Sequence, residues 1–513
     1  MDEGATRGKE AFGRELMDRP LHTAAEVCVM LRAQSLCGNG LISAGGRFSI
    51  SLRGAGGTSL MKYPKFGLIR QKFEKGDYPD VSRMVRRELE RSNLLARIGK
   101  GDRVLITAGS RGIESMNEVL RTCVAAVREA GGEPFLYPAM GSHGKGTAEG
   151  QLEVLSHLGI TDASIGVPIH TELQVVEIDR IFDSVPVYAD RAALDADHIL
   201  IVNRIKEHTE YIGDTESGIL KMAVVGLGRQ PGAETMHRLA VNISYYKAIH
   251  AIAGSLFRNL RILGAVALLE DHSNRLRRVE AIPAGEVVAR EPQLLQESKI
   301  YKPKLPFEEL DILLIDEIGK EISGTGMDTK VVGRIMNVYE KECESPRITR
   351  IVVRDLSETS GGNATGIGLA DYTTRRAVEK IDFKATITNC VSAVAPEKGR
   401  IPLAFESDRE AMDAALRTIG IWTPDRVRAA WISDTKSLEW LAVSSALAEA
   451  VRNEPWIESY EGGRLFDLPY DSAGNLPTLK SFLQSQPGHA IHQGRGHSPQ
   501  STEESKRARM KKR

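Results

Sequence analysis

Three histidines and one lysine are the residues best suited to chemistry in this chain: His143 in Gly141-Ser142-His143-Gly144, then His208, Lys221 and His237 within the segment Glu207 to His237. Imidazole changes charge near neutral pH and binds transition metals, so repeated histidines in turn-like sequence point to proton transfer or metal ligation. Lys221 falls in Ile219-Leu220-Lys221-Met222-Ala223-Val224-Val225, the first turn of an otherwise apolar helix predicted to start at Ser217-Gly218. An ammonium there is poorly solvated and opposed by the helix dipole. Either its stem snorkels to water, or acylation or condensation of the amine removes the charge and relieves both penalties.

Each histidine has a plain reading beside the chemical one. The loop Gly141 to Thr147 follows a predicted strand and precedes a helix beginning near Ala148, so its backbone N–H groups can face an anion. It lacks the glycine spacing of a P-loop, and Gly146 stands where a magnesium-binding hydroxyl residue is needed, so ATP hydrolysis is not expected. His143 is then either an exposed histidine in a glycine turn or a catalytic group. His208 leaves the strand-like run Ile201-Val202-Asn203, a position suited to catalysis. His237 has no nearby cysteine or second histidine to complete a tetrahedral zinc set, so a metal there needs donors from elsewhere.

The elements that must hold these residues alternate as in α/β proteins. Strands are expected at Arg103 to Thr107, Pro134 to Tyr137, His198 to Asn203 and Leu263 to Leu269, with a helix from Asn117 to Ala130 closed by Gly131-Gly132. After the proline-marked connection Lys302 to Pro306, strands are expected at Asp311 to Ile315, Ile348 to Val353 and Val427 to Ile432, and a helix at Tyr372 to Lys380. The reading is two α/β domains, 61–300 and 301–470, with a ligand cleft between them. Residues 1–60, with a short helix around Ala24 to Gln34, are expected to form a disordered extension, and 471–513 a disordered basic tail.

A chain of 513 residues with zero formal net charge has no global field for nucleic acid, so no nucleic-acid partner is expected. No apolar run is long enough to span a bilayer and no signal peptide opens the chain, so no membrane partner is expected. Cys28, Cys37, Cys123, Cys343 and Cys390 are scattered without a CxxC pair, which fits a reducing cytoplasm.

Arg111, His143, His208, Ser217-Gly218-Ile219-Leu220-Lys221 and His237, in this order and near these spacings, resemble the nickel-dependent lactate racemase family. The likeness covers most of Met61 to about Leu468. It implies a nickel pincer nucleotide, a pyridinium mononucleotide with two sulfur groups, joined covalently to Lys221. It implies nickel ligation by His237, acid/base catalysis by His143 and His208, and a grip on the substrate by Arg111. The loop Ile322 to Lys330 is similar to the family's lysine loop, making Lys330 a second anion contact. The implied partners are a small 2-hydroxy acid and the enzymes that make the cofactor.

The chemistry gives each part a reason. The α-hydrogen of a hydroxy acid is too weakly acidic for imidazole alone, whereas taking the hydroxyl proton as a hydride leaves to an electrophilic cofactor is feasible. Hydride return to either face of the planar 2-oxo acid inverts or restores the centre. A bidentate arginine suits the carboxylate, and imidazole with soft donors suits nickel. The family's aspartate three residues before the arginine is Ala108 here, the loop from His208 to Lys221 is longer, and Gly-Ile-Leu-Lys replaces Gly-Gly-Arg-Lys. A larger or more polar 2-hydroxy acid, such as a sugar acid, therefore fits at least as well as lactate. A zinc-type hydrolase using the three histidines, or a non-catalytic organic-acid or nucleotide binding protein, would use the same residues differently.

Overall fold

Alternation along buried strands builds two cores around one sheet. Leu105, Ile199, Ile201, Ala265 and Ala267 point into one core, while their neighbours Val104, Ile106, Leu200, Val202 and Val266 point into the other. Successive strand side chains face opposite ways, so a run such as Val104-Leu105-Ile106 must be covered on both sides. Helices Val81–Ser92 and Met116–Glu129 contribute to one cover, and helices Arg229–Ile243 and Tyr245–Asn259 to the other.

A computed structural model describes residues 62–73, 80–110, 112–141, 143–459 and 463–486. The expected extension through residue 60, with its helix at Ala24 to Gln34, lies outside the described residues, as does Arg111. The fold is α/β. One sheet has five strands in the order Glu133–Pro138, Arg103–Ala108, His198–Arg204, Ile262–Glu270 and Leu276–Pro283; the first four are parallel and the last is antiparallel. An eight-stranded sheet is built around the parallel strands Glu309–Ile318, Arg347–Leu356 and Ala429–Ile432. Strand Phe66–Gln71 joins this larger sheet by antiparallel pairing with Trp440–Ser444.

Two expectations change. Tyr372 to Lys380 is not one helix: Tyr372–Thr374 is a strand and only Arg375–Glu379 is helical. The β-branched pair Thr373-Thr374 favours the extended form, and the Thr374 side chain accepts from Ala377 N as the helix cap. Residues 471–486, assigned to the tail, carry helix Leu479–Ser485, whose Leu479, Phe482 and Leu483 are buried.

Strand order fixes where the candidate residues gather. From Arg103–Ala108 the chain moves to Glu133–Pro138 on one side, then later adds His198–Arg204 on the other. The carboxyl edge between such oppositely directed connections is where α/β sheets bind ligands. Ser110, His143 and His208 all follow strands onto this edge.

Candidate functional site

The His208 loop is closed at its base and held from outside. Lys206 and Ser217 exchange both backbone hydrogen bonds, at 2.9 and 3.0 Å, making a neck for the residues between them. Within the loop Glu216 Oε2 accepts the His208 N–H at 2.6 Å, and the Tyr211 hydroxyl donates to the Glu216 carbonyl at 2.7 Å.

Residues after strand Glu309–Ile318 grip the same loop. Thr329 Oγ1 donates to the Thr209 carbonyl at 2.9 Å, Asn337 Nδ2 to the Glu210 carbonyl at 3.3 Å, and Lys330 Nζ to the Tyr211 carbonyl at 2.6 Å. The fully buried Lys398 forms an ion pair with Glu210. The Lys330 ammonium, expected as an anion contact, is thus bonded to the His208 loop, and it lies 3.7 Å from the Glu216 carboxylate.

Lys221 ends the short helix Ile219–Lys221, which runs on through a π-helical turn, Met222–Leu227, into helix Arg229–Ile243. A carboxylate sits beneath its start: Glu291 accepts from Leu220 N at 3.0 Å and its Oε1 is buried. Gly218 is needed for this, because a Cβ there would lie 2.0 Å from Glu291 Oε1. Burial raises the Glu291 carboxyl to about 7, against the lowering effect of the two backbone donors.

His237 lies on helix Arg229–Ile243, with Nδ1 2.7 Å from the Tyr245 hydroxyl. Tyr245 also stacks on Tyr211 at 5.3 Å between ring centroids, and the His208 ring lies 4.9 Å from Tyr211. His143 is exposed, with Nδ1 bonded to Ser110 Oγ. Its loop packs on the turn after Lys221: Gly141 has φ +58°, and a Cβ there would meet Val225 Cγ1 at 2.7 Å. Gln151 Nε2 donates to the Gly141 carbonyl at 3.1 Å while its Oε1 accepts from buried Arg229, which pairs with Asp190 at 2.7 Å. Arg229 thereby ties the histidine loop to the helix that carries His237.

The charges converge on two imidazoles. Burial, then the nearby ammonium groups of Lys221 and Lys330, hold His208 well below its ordinary value. Burial, then Lys221, push His237 down to about 4. Both rings are neutral at pH 7, the state that binds metals or exchanges a proton. Lys221 acts electrostatically on both, so His208, Lys221, His237 and Lys330 form one cluster, with His143 on the adjoining loop. Among the described residues no three His, Cys, Asp or Glu side chains are arranged to hold a metal.

No family model and no curated sequence matches this chain. Among solved structures, a protein from Thermotoga maritima is 15% identical with a TM-score of 0.44, covering 71% of this chain and 99% of that one. The lactate racemase apoprotein from Thermoanaerobacterium thermosaccharolyticum is 12% identical with a TM-score of 0.40, covering 72% and 84%. Likenesses this distant carry no argument about activity.

Sequence reasoning overlooked Glu291, Tyr245, Glu216 and the Glu210–Lys398 pair. Glu216 adjoins Ser217-Gly218, Glu210 follows His208 by two residues and Tyr245 follows His237 by eight, whereas Glu291 and Lys398 reach the site through contacts distant in sequence. No helix among the described residues is long and apolar enough to cross a membrane.

Proposed function

We propose that this protein is a racemase or epimerase of a 2-hydroxy acid, lactate-like or larger, working with a nickel pincer nucleotide tethered to Lys221. The observation that carries the reading is one lysine within electrostatic reach of two neutral, half-buried imidazoles. That combination suits a tether flanked by a metal ligand and a proton-handling group. The residues fit the cofactor in a second respect: Tyr245 occupies Nδ1 of His237, so Nε2 is the nitrogen left for nickel, and a lone histidine suffices where the cofactor brings the other donors.

When bound, the cofactor supplies a hydride-accepting centre. His208 holds the substrate hydroxyl at one placement and His143 at the other, and Arg111, carried over from the sequence resemblance, grips the carboxylate. Lys330 and Lys398 keep the His208 loop in position, and Tyr211 and Tyr245 shield its ring from water.

The test is intact-mass and metal analysis of protein co-expressed with the cofactor-synthesis enzymes. Stoichiometric nickel and a mass adduct localised to Lys221 are expected, with Lys221→Ala losing the adduct and all interconversion of 2-hydroxy acid enantiomers or epimers. Folded protein carrying neither nickel nor adduct overturns the reading, and bound zinc without an adduct would turn it toward a hydrolase.

A further inference from the structure

We propose that the fold holds its two half-buried site histidines as opposite neutral tautomers, His208 with its proton on Nε2 and His237 with its proton on Nδ1, and that Tyr245 is the positioning residue for His237. The functional consequence rests on the reading above; the tautomers themselves do not.

For His208 the argument is one of available lone pairs. The Glu210 backbone N–H donates to Nδ1 at 3.1 Å, and a peptide N–H has no other role than donor. Nδ1 must therefore carry the lone pair, and the single proton of the neutral ring is on Nε2. An imidazolium would set two N–H groups against each other. The four contacts that grip Thr209, Glu210 and Tyr211 keep the Glu210 amide aimed at the ring.

For His237 the decisive partner is a carbonyl. The Tyr245 hydroxyl lies 2.7 Å from Nδ1 and 3.2 Å from the Ala393 carbonyl. A carbonyl oxygen only accepts, and a hydroxyl donates once, so both contacts are used when Tyr245 donates to Ala393 and accepts from Nδ1–H. Helix Phe383–Ser392 ends just before Ala393, and the Tyr339 hydroxyl takes the next carbonyl, Val394, at 3.2 Å, which anchors this acceptor. The backbone of Tyr245 is fixed as well, its N–H donating to Glu340.

The two rings are thus prepared for different work. Nε2 of His237 presents a lone pair, as a metal requires, with its far nitrogen oriented by a hydroxyl–carbonyl relay. Nε2 of His208 presents a proton, so in this conformation His208 donates a hydrogen bond to a substrate oxygen. To act as base through Nε2 it must first give up the Glu210 amide.

Full-chain apoprotein labelled with ¹⁵N-histidine tests this, with His208→Gln and His237→Gln used to assign the signals. At pH 7, His237 is expected as the Nδ1–H form and His208 as the Nε2–H form. In Tyr245→Phe the His237 signals should move toward the other tautomer, and nickel should be lost to a chelator several-fold faster while the Lys221 adduct stays. Wild-type His237 in the Nε2–H form, or His208 in the Nδ1–H form, overturns the proposal whether or not Tyr245→Phe folds. So does a folded Tyr245→Phe with unchanged His237 signals. Absence of the adduct from wild-type protein defeats the cofactor reading and leaves the tautomer result standing.

Discussion

Two regions rich in buried charge put their ion pairs to different uses. Around Arg354 the charges answer one another: its guanidinium pairs with Asp316 and Asp408, Arg376 also pairs with Asp408, and the Leu476 and Pro477 carbonyls take further donors. Trp431 Nε1 and Leu479 N donate to Asp316 at 2.6 and 2.5 Å, so the cluster fastens the end of the described chain onto the larger sheet. Around His208 and His237, Lys221 depresses both imidazoles while Glu216 and Glu210 are engaged with Lys330, Lys299 and Lys398. Around Arg354 matched charge fastens a chain end, whereas around His208 the paired lysines and glutamates hold a loop whose imidazole stays neutral.

The sharpest way to break this contrast is Arg354→Met. It leaves Asp316 without its buried cation and deprives Asp408 of one of two, and a loss of about 3–5 kcal/mol is expected in chemical denaturation. A loss under about 1 kcal/mol would mean that the network is not what holds the C-terminal helix in place.

A smaller effect separates the carboxyl beneath Gly218 from those around Arg354. The Glu291 carboxyl is raised to about 7 in the fold, so the native state binds more protons than the unfolded chain between the ordinary glutamate value and pH 7. Its contribution to stability is full at low pH and is lost as pH rises through 7. Relative to Glu291→Gln, the wild type should lose up to about 3 kcal/mol between pH 4.5 and 8.5, measured by urea denaturation across that range. A difference that stays constant with pH would show that the carboxyl titrates normally.

The smallest expected change concerns the grip on the His208 loop. Thr329→Val keeps shape and removes one donor to Thr209, and should cost about 1 kcal/mol in denaturation while leaving the Lys221 adduct intact. Amide hydrogen exchange at residues 208–211 should rise; unchanged protection there would assign the grip to Lys330, Asn337 and Lys398.

Much of the fold was legible locally. Arg103 to Thr107 and Ile348 to Val353 are buried strands because continuous apolar runs can be satisfied only in a sheet covered on both faces. The helix at Met116–Glu129, closed by Gly131-Gly132, and the loop-to-helix step near Ala148 followed from local pattern, and the structure adds Thr147 as the cap of the second. The strands Phe66–Gln71 and Leu403–Phe405 were not legible: the first pairs with residues far along the chain, and the second is a short edge strand with little burial. The break at Thr374 was visible in residue type but lost to the helical pattern around it.

The sequence by itself determined which residues can do chemistry, and in which order they leave their strands and helices, because those properties depend on side-chain type and local periodicity. It also determined that Ser217-Gly218 opens a helix bearing Lys221. Only the tertiary structure decided that Glu291 lies under that glycine, that Lys221 comes within electrostatic reach of both His208 and His237, and that Tyr245 links His237 to Ala393. These depend on contacts between segments far apart in sequence, where packing and burial, and not local pattern, select the partner and set the protonation state.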